Sequence, residues 1–305
     1  MDFRVLRYFV AAADAGGITH AAERLHVTQP TVSRQLQELE EELGQALFVR
    51  ESRGMRLTPA GRLFYRRAAD ILEMARRTKS EFAALSDFSG GDTEAVCAET
   101  AGIRLLARVF RDVRRRFPEM RLGIRSGNIE LALDRLRDGL ADFAVIMEEA
   151  DLADYESAEL PHRDLWGLLV REDDLLAQKK AASLADCLGR DLFLSRRGLQ
   201  PGMSPAFDRL RNRLRIAGTY DLAYNAAQLV REGAGAAVTI GGIVTEGRGT
   251  GLCFRPFAPA FPAAPLRLIW PKAREPSRAA AVMIDALKKA AAEESGAAEA
   301  AAQTP

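Results

Sequence analysis

Cysteine, histidine and any surplus of one charge are all scarce in this chain, and each shortage excludes something. The cysteines, Cys97, Cys187 and Cys253, are far apart, odd in number and without CxxC spacing. They offer neither a disulfide framework nor a zinc site, and they fit a reducing cytoplasm. The histidines are His20, His26 and His162, and the last follows Pro161 with no neighbouring nucleophile. No GxSxG, GxxxxGKS/T or metal-ligand cluster occurs, so neither an enzyme nor a metal or cofactor is expected. "GAGAAVTIGG" is glycine-rich but does not match GxGxxG, and "AAVTI" within it reads as a buried strand between turns. Lys and Arg number 43 against 42 Asp and Glu, a formal net charge of +1, so a surface for nucleic acid has to be local. No apolar run approaches the ~18 residues of a membrane span. The N-terminal "MDFRVLRYFV" lacks the apolar core of a signal peptide. The expectation is a cytoplasmic protein with no membrane partner.

What is present is an ordinary globular composition, 48% hydrophobic and 28% charged, in 305 residues, enough for two or three domains. "FRVLRYFVAAADAG" places Phe3, Leu6, Val10 and Ala13 at helical spacing before Gly16 and Gly17. Thr19 is expected to cap a short helix in which Ala21 and Ala22 let a neighbour approach closely. Val27 and Thr28 then turn into a further helix, giving a helix-turn-helix pattern. "LFVRESRGMRLT" reads as two short extended pieces around a polar tip, a small wing. Thr58 and Pro59 suit an N-cap and first helical residue. They open a long helix to about Leu85, with a weak heptad seam of Phe64, Ala68, Ile71, Ala75, Thr78, Phe82 and Leu85. "SDFSGGDTE" then marks a linker. Beyond it, strand and helix patterns alternate, which predicts two α/β lobes built on parallel strands. "PLRLIW" reads as a strand returning to the first lobe, and "SRAAAVMIDALKKAAAE" as a closing helix.

The helix "VTQPTVSRQLQELEEELG" has unlike ends. Val32, Leu36, Leu39 and Leu43 share one face and are expected to be buried, while Pro30, Ser33, Arg34, Gln37 and Glu41 lie opposite. Its first half is neutral and rich in groups that bond phosphates and base edges, with Gln29 and Thr31 flanking; its second half carries Glu38, Glu40, Glu41 and Glu42. The helix N-terminus adds a partial positive charge. Only the first two turns therefore suit a major groove, with the carboxylates left outside to oppose deeper insertion.

From Ile18 to Leu72 the motifs "AAERL", "TQPTVSRQL", "LEEELG", "LFVR" and "LTPAG" resemble the N-terminal winged helix-turn-helix and linker helix of LysR-type transcriptional regulators. The resemblance covers the rest of the chain more loosely. It implies an all-α N-terminal part with a wing and a two-lobed α/β effector domain like a periplasmic binding protein. It implies DNA contacts at Gln29, Pro30, Thr31, Ser33 and Arg34, to which the helix wheel adds Gln37, and at Arg50 and Arg53 around the wing. The apolar seam of the linker helix predicts a homodimer, and the resemblance implies a tetramer built from such dimers, with RNA polymerase a further candidate partner.

The expected divisions are 1–58 for the DNA-binding domain, 59–87 for the dimerisation helix and 88–94 for a hinge. The effector domain is expected over 95–293, with one lobe near 95–161 and 266–293 and the other near 162–265. Residues 294–305 are expected to be a disordered tail. Ligands of doubly wound lobes bind beyond strand carboxyl ends, which singles out Glu99, Thr100 and Ala101, then Ser126, Gly127 and Asn128, then Ser195, Arg196 and Arg197. Hydroxyls, helix N–H groups and an arginine suit an anion, whereas Glu99 favours an amine or hydroxyl. Helix capping explains Thr100 and Asn128 equally well, and a solvated loop explains Arg196 and Arg197 better. "RDVRRRF" reads as the wet face of an amphipathic helix. The competing overall reading is a small-molecule binding or assembly module with no DNA role; a gel shift and its salt dependence separate the two.

Overall fold

The computed structural model describes residues 1–51, 54–83, 88–147, 150–196, 204–261 and 265–302, in two compact units, Met1–Asp87 and Phe88–Pro305. In the first unit α1 (Phe3–Ala15) begins where the Asp2 carboxylate accepts the Arg4 and Val5 N–H groups. It ends at Gly16, in the left-handed conformation at φ 63°. Helix α2 (Ile18–Leu25) starts two residues earlier than expected, with Gly17 at its N-cap and no side-chain cap, so Thr19 lies inside the helix rather than capping it. His26 closes α2 at φ 54°. Helix α3 (Gln29–Leu43) follows, its Val32, Leu36 and Leu39 buried with Leu6, Phe9, Ala21 and Ala22 in one core, whereas Leu43, expected on the same buried face, is exposed at the helix end. Small Ala21 and Ala22 are what permit this close helix packing.

Strands β1 (Phe48–Glu51) and β2 (Gly54–Leu57) pair antiparallel, Phe48 opposite Leu57, as the wing. Gly54 sits at φ 110°, and a Cβ there would stand 2.6 Å from the Gly16 carbonyl oxygen, so only glycine fits. Helix α4 (Pro59–Ala83) opens where Thr58 Oγ1 accepts the Gly61 N–H at 2.9 Å and donates to the Ala46 carbonyl at 2.7 Å. Two members of the expected seam are spent elsewhere. Phe64 packs edge-on against Phe9 at 4.8 Å, and Ala68 is fully buried in the head core. Ile71 and Phe82 remain 40% and 72% exposed, together with Leu63 and Met74. Leu85 lies outside the described residues.

In the second unit the elements are β3 (Asp92–Cys97), α5 (Ile103–Arg116), β4 (Arg121–Ser126), α6 (Ile129–Arg137), β5 (Phe143–Ile146) and β6 (Tyr155–Glu159). They continue with β7 (Trp166–Arg171), β8 (Asp191–Ser195), α7 (Pro205–Leu210), β9 (Arg215–Tyr220), α8 (Ala223–Arg231), β10 (Ala236–Ile240), β11 (Leu252–Pro256), β12 (Arg267–Pro271) and α9 (Arg278–Ala302). One lobe carries the sheet β4-β3-β5-β12-β6 and the other the sheet β11-β7-β10-β8-β9. Each has a parallel trio, β4-β3-β5 or β10-β8-β9, joined by crossover helices. Each also has antiparallel strands where the chain passes between lobes: β12 against β5 and β6, β7 against β10 and β11. The sheets are thus mixed rather than purely parallel, because strands entered by a direct crossing between lobes need no helical crossover.

Helix α5 buries Leu105, Leu106, Val109 and Val113, which leaves the arginines of "RDVRRRF" on its outer face. Strand β3 already begins at Asp92, inside the segment expected as a hinge. Helix α9 continues to Ala302, through most of the expected disordered tail; its alanine-rich run has the highest intrinsic helix propensity. Residues 303–305 lie outside the described ones. Among the described residues no helix is long and apolar enough to cross a membrane.

Candidate functional site

The exposed side of α3 is set by its buried side. With Val32, Leu36 and Leu39 in the core, Gln29, Pro30, Arg34 and Gln37 are exposed and Thr31 and Ser33 half-buried. Thr28, at the N-cap, shares its hydroxyl with Thr31 at 2.8 Å and its carbonyl accepts the Thr31 and Val32 N–H groups at 3.1 and 3.3 Å; with Pro30 lacking an N–H, the first turn offers at most the Gln29 N–H to an acceptor. Arg34 Nε stands 3.5 Å from Glu38 Oε1 in an exposed i,i+4 pair. Such a pair is held weakly and yields readily to a phosphate or base.

The acidic half of α3 has local tasks that sequence reasoning missed. Glu40 Oε1 accepts the Leu47 and Phe48 N–H groups at 2.6 and 3.0 Å, fixing the entry to the wing. Glu42 meets the Met1 ammonium at 2.9 Å, and Glu41 accepts from Gln37 at 3.0 Å. These carboxylates therefore organise the head, and opposition to deeper insertion is not needed to explain them. Arg50 lies on β1 opposite Met55, with its side chain outside the described residues, as is all of Arg53. Arg56, on β2, is exposed on the wing and was not singled out from the sequence.

In the second unit, the residues after β3 meet the other lobe. Glu99 Oε2 accepts the backbone N–H of Ala223, the first residue of α8, at 2.9 Å. Ala101 faces Gly242 so closely that a Cβ on that glycine would come within 3.3 Å of the alanine methyl. Thr100 is buried; its hydroxyl donates to Asp164 Oδ2 at 2.7 Å and accepts the Gly102 N–H at 3.0 Å. Asp164 Oδ1 in turn holds His162 Nε2 at 2.9 Å, so the connection between lobes carries a continuous polar chain. Asn128 caps α6 by accepting the Leu131 N–H at 3.1 Å, with Ser126 exposed and Gly127 packed on the Leu131 side chain. Capping is therefore what Asn128 does.

Ser195 ends β8, and Arg196 Nε pairs with Asp221 at 2.6 Å, both side chains largely exposed. Arg197 lies outside the described residues. The structure thus brings Glu99 and Ala101 to the seam between lobes and gives Thr100 an internal structural bond. Ala223, Gly242, His162 and Asp164 were missed. Gly242 had been set aside as a turn glycine, and nothing in "PHRDLW" signals a bond to Thr100. Below the seam Tyr220 donates to the Val238 carbonyl at 2.7 Å. Burial pushes its hydroxyl up to about 12, with the Glu99 charge a lesser contribution in the same direction.

A winged helix-turn-helix with an exposed polar recognition helix, together with a two-lobed α/β unit, defines a DNA-binding transcriptional regulator that carries a small-molecule domain. Residues 3–62 match the bacterial regulatory helix-turn-helix protein, lysR family, and residues 94–292 match the LysR substrate binding domain; the chain belongs to the LysR family. Nitrogen assimilation regulatory protein nac of Klebsiella aerogenes is 30% identical over 241 residues, 78% of either chain. HTH-type transcriptional regulator TfdT of Cupriavidus pinatubonensis is 33% identical over 142 residues, 47% of this chain and 62% of that one, less than two thirds of its length. Among solved structures, CbnR, a LysR family transcriptional regulator, matches with TM-score 0.73 at 25% identity, covering 95% of this chain and 99% of its own. Full-length CbnR complexed with its target DNA has the same fold, TM-score 0.70 at 24% identity over 95% of this chain and all of that one.

Proposed function

We propose that this regulator reads its operator with the first two turns of α3, through Gln29, Pro30, Thr31, Ser33, Arg34 and Gln37, with Arg50 and Arg53 of the wing on flanking phosphates. The observation that carries this is the exposure of Gln29, Pro30, Arg34 and Gln37 directly behind a helix face that is locked into the core. Binding without catalysis, in the cytoplasm, as a homodimer through α4 that assembles further, completes the reading. Its effector is a small polar molecule held where the lobes meet. Contact with RNA polymerase belongs to the same reading, on the family likeness alone.

The test is a binding titration against operator and scrambled DNA at two salt concentrations. Arg34→Ala should cost ~1–3 kcal/mol of discrimination at one base position if it meets a base edge. If it meets only phosphate, affinity should fall evenly across sequences and the salt slope drop by about one. Arg53→Ala should follow the second pattern. Glu41→Ala should not weaken binding; equal losses for Glu41→Ala and Arg34→Ala would sink this placement of α3.

A further inference from the structure

Among the described residues, three candidate anion-holding groups of the effector domain already have partners from the chain itself. The first N–H of α8 donates to Glu99, the Thr100 hydroxyl donates to Asp164, and Arg196 is matched by Asp221. The Glu99 bond differs from the other two. It runs from the end of β3 in one lobe to the start of α8 in the other, so it spans the two bodies that a bound effector would separate or draw together. Glu99 itself is only partly buried, and the backbone donor it satisfies belongs to a buried alanine. Ala101 against Gly242 closes the same seam, a Cβ on that glycine standing in tight contact with the alanine methyl at 3.3 Å.

We propose that Glu99 is a resident anion: its carboxylate occupies the N-terminal end of α8, latches the lobes to one another, and keeps small carboxylates from that position. The physical basis is twofold. A helix N-terminus favours one negative charge, and that charge is already supplied. A second carboxylate beside Glu99 would meet like-charge repulsion. The effector this seam accepts is then neutral or cationic, offering hydrogen-bond donors to Glu99 rather than acceptors to α8. This inference rests on the reading of the seam as the effector site, and it assigns that site its charge preference.

The experiment is hydrogen exchange, read by mass spectrometry on the full chain, over the peptide that contains Leu222 to Asn225. In Glu99→Ala the exchange of this segment should rise roughly tenfold, the loss expected for one partly buried hydrogen bond. Glu99→Gln, which keeps an acceptor oxygen, should fall between Glu99→Ala and the wild type. Acetate at constant ionic strength, compared with chloride, should restore protection in Glu99→Ala and leave the wild type unchanged. Equal exchange in all three proteins would overturn the latch, and so would acetate protecting the wild type as much as the variant. Operator affinity measured in the same acetate and chloride buffers separates the underlying reading. If acetate reprotects Glu99→Ala but leaves its operator affinity untouched, the latch stands and the regulatory role of the seam fails.

Discussion

Glu40 illustrates how a single carboxylate can be assigned. It looks like one of four equivalent glutamates on α3, yet it alone accepts two backbone N–H groups at the entry to the wing. Glu40→Ala should therefore destabilise the protein by ~1–3 kcal/mol, the cost of leaving partly buried donors unmet. Glu41→Ala should change stability by less than ~0.5 kcal/mol, as exposed substitutions do; urea unfolding of the two variants checks the contrast. Thr100→Val should behave similarly to Glu40→Ala, because it removes the donor to buried Asp164. A thermal melt unchanged by Thr100→Val would contradict that structural role.

The cysteines make a chemical prediction at the same scale. Burial pushes the Cys97 and Cys187 thiols up to about 12 and also raises Cys253. The native protein should thus resist alkylation at about pH 8, where a free exposed thiol near pKa 8.5 reacts; rapid labelling without denaturant would refute this. Asp186 gives a pH signature. Burial raises its pKa, but the Lys179 ammonium and the Ser183 donors prevail and hold it down to about 2. A carboxyl depressed on folding adds stability above its unfolded pKa, and loses it as pH falls through the folded value. Between its ordinary 3.8 and about 2 the wild type should lose stability more steeply than Asp186→Asn, measured by acid titration.

At the scale of elements, α4 serves two masters along its length. Phe64 and Ala68 face the core of the head, while Ile71, Met74 and Phe82 stay exposed further along. A 25-residue helix with such an apolar stripe leaves surface that a second copy can cover. Ile71→Glu and Phe82→Glu should yield monomers by light scattering without loss of the head's stability. Ala68→Leu should do the reverse, overpacking the core by ~1–3 kcal/mol while association persists. If both glutamate variants remain dimers, the stripe is not the interface. The heptad count mixed the two faces because a repeat of seven cannot tell a residue packed on its own domain from one packed on another chain. Similarly, the alternating strand and helix pattern showed that the lobes are α/β, but not that β7 and β12 run antiparallel, which depends on where the chain crosses between lobes.

For the whole molecule, a net charge of +1 means that attraction to DNA has to come from a few placed cations and helix-end dipoles. Local chemistry was written plainly in the sequence. The turn at Val27 and Thr28, the Thr58–Pro59 start of α4 and the polar, carboxylate-free first half of α3 all follow from residues within a few positions of each other, because capping and helical periodicity are short-range effects. Partners distant along the chain were not legible. Glu40 reaches Leu47 and Phe48 across the turn into the wing, Thr100 reaches Asp164, and Glu99 reaches Ala223, over separations of up to 124 residues. The sequence by itself determined that this chain has a DNA-reading head and a two-lobed α/β body, since periodicity, caps and turn residues act locally. Only the tertiary structure decided that Thr100 is a buried brace and Glu99 a bond between lobes, because a hydrogen bond depends on where folding brings two groups, and no local pattern encodes that meeting.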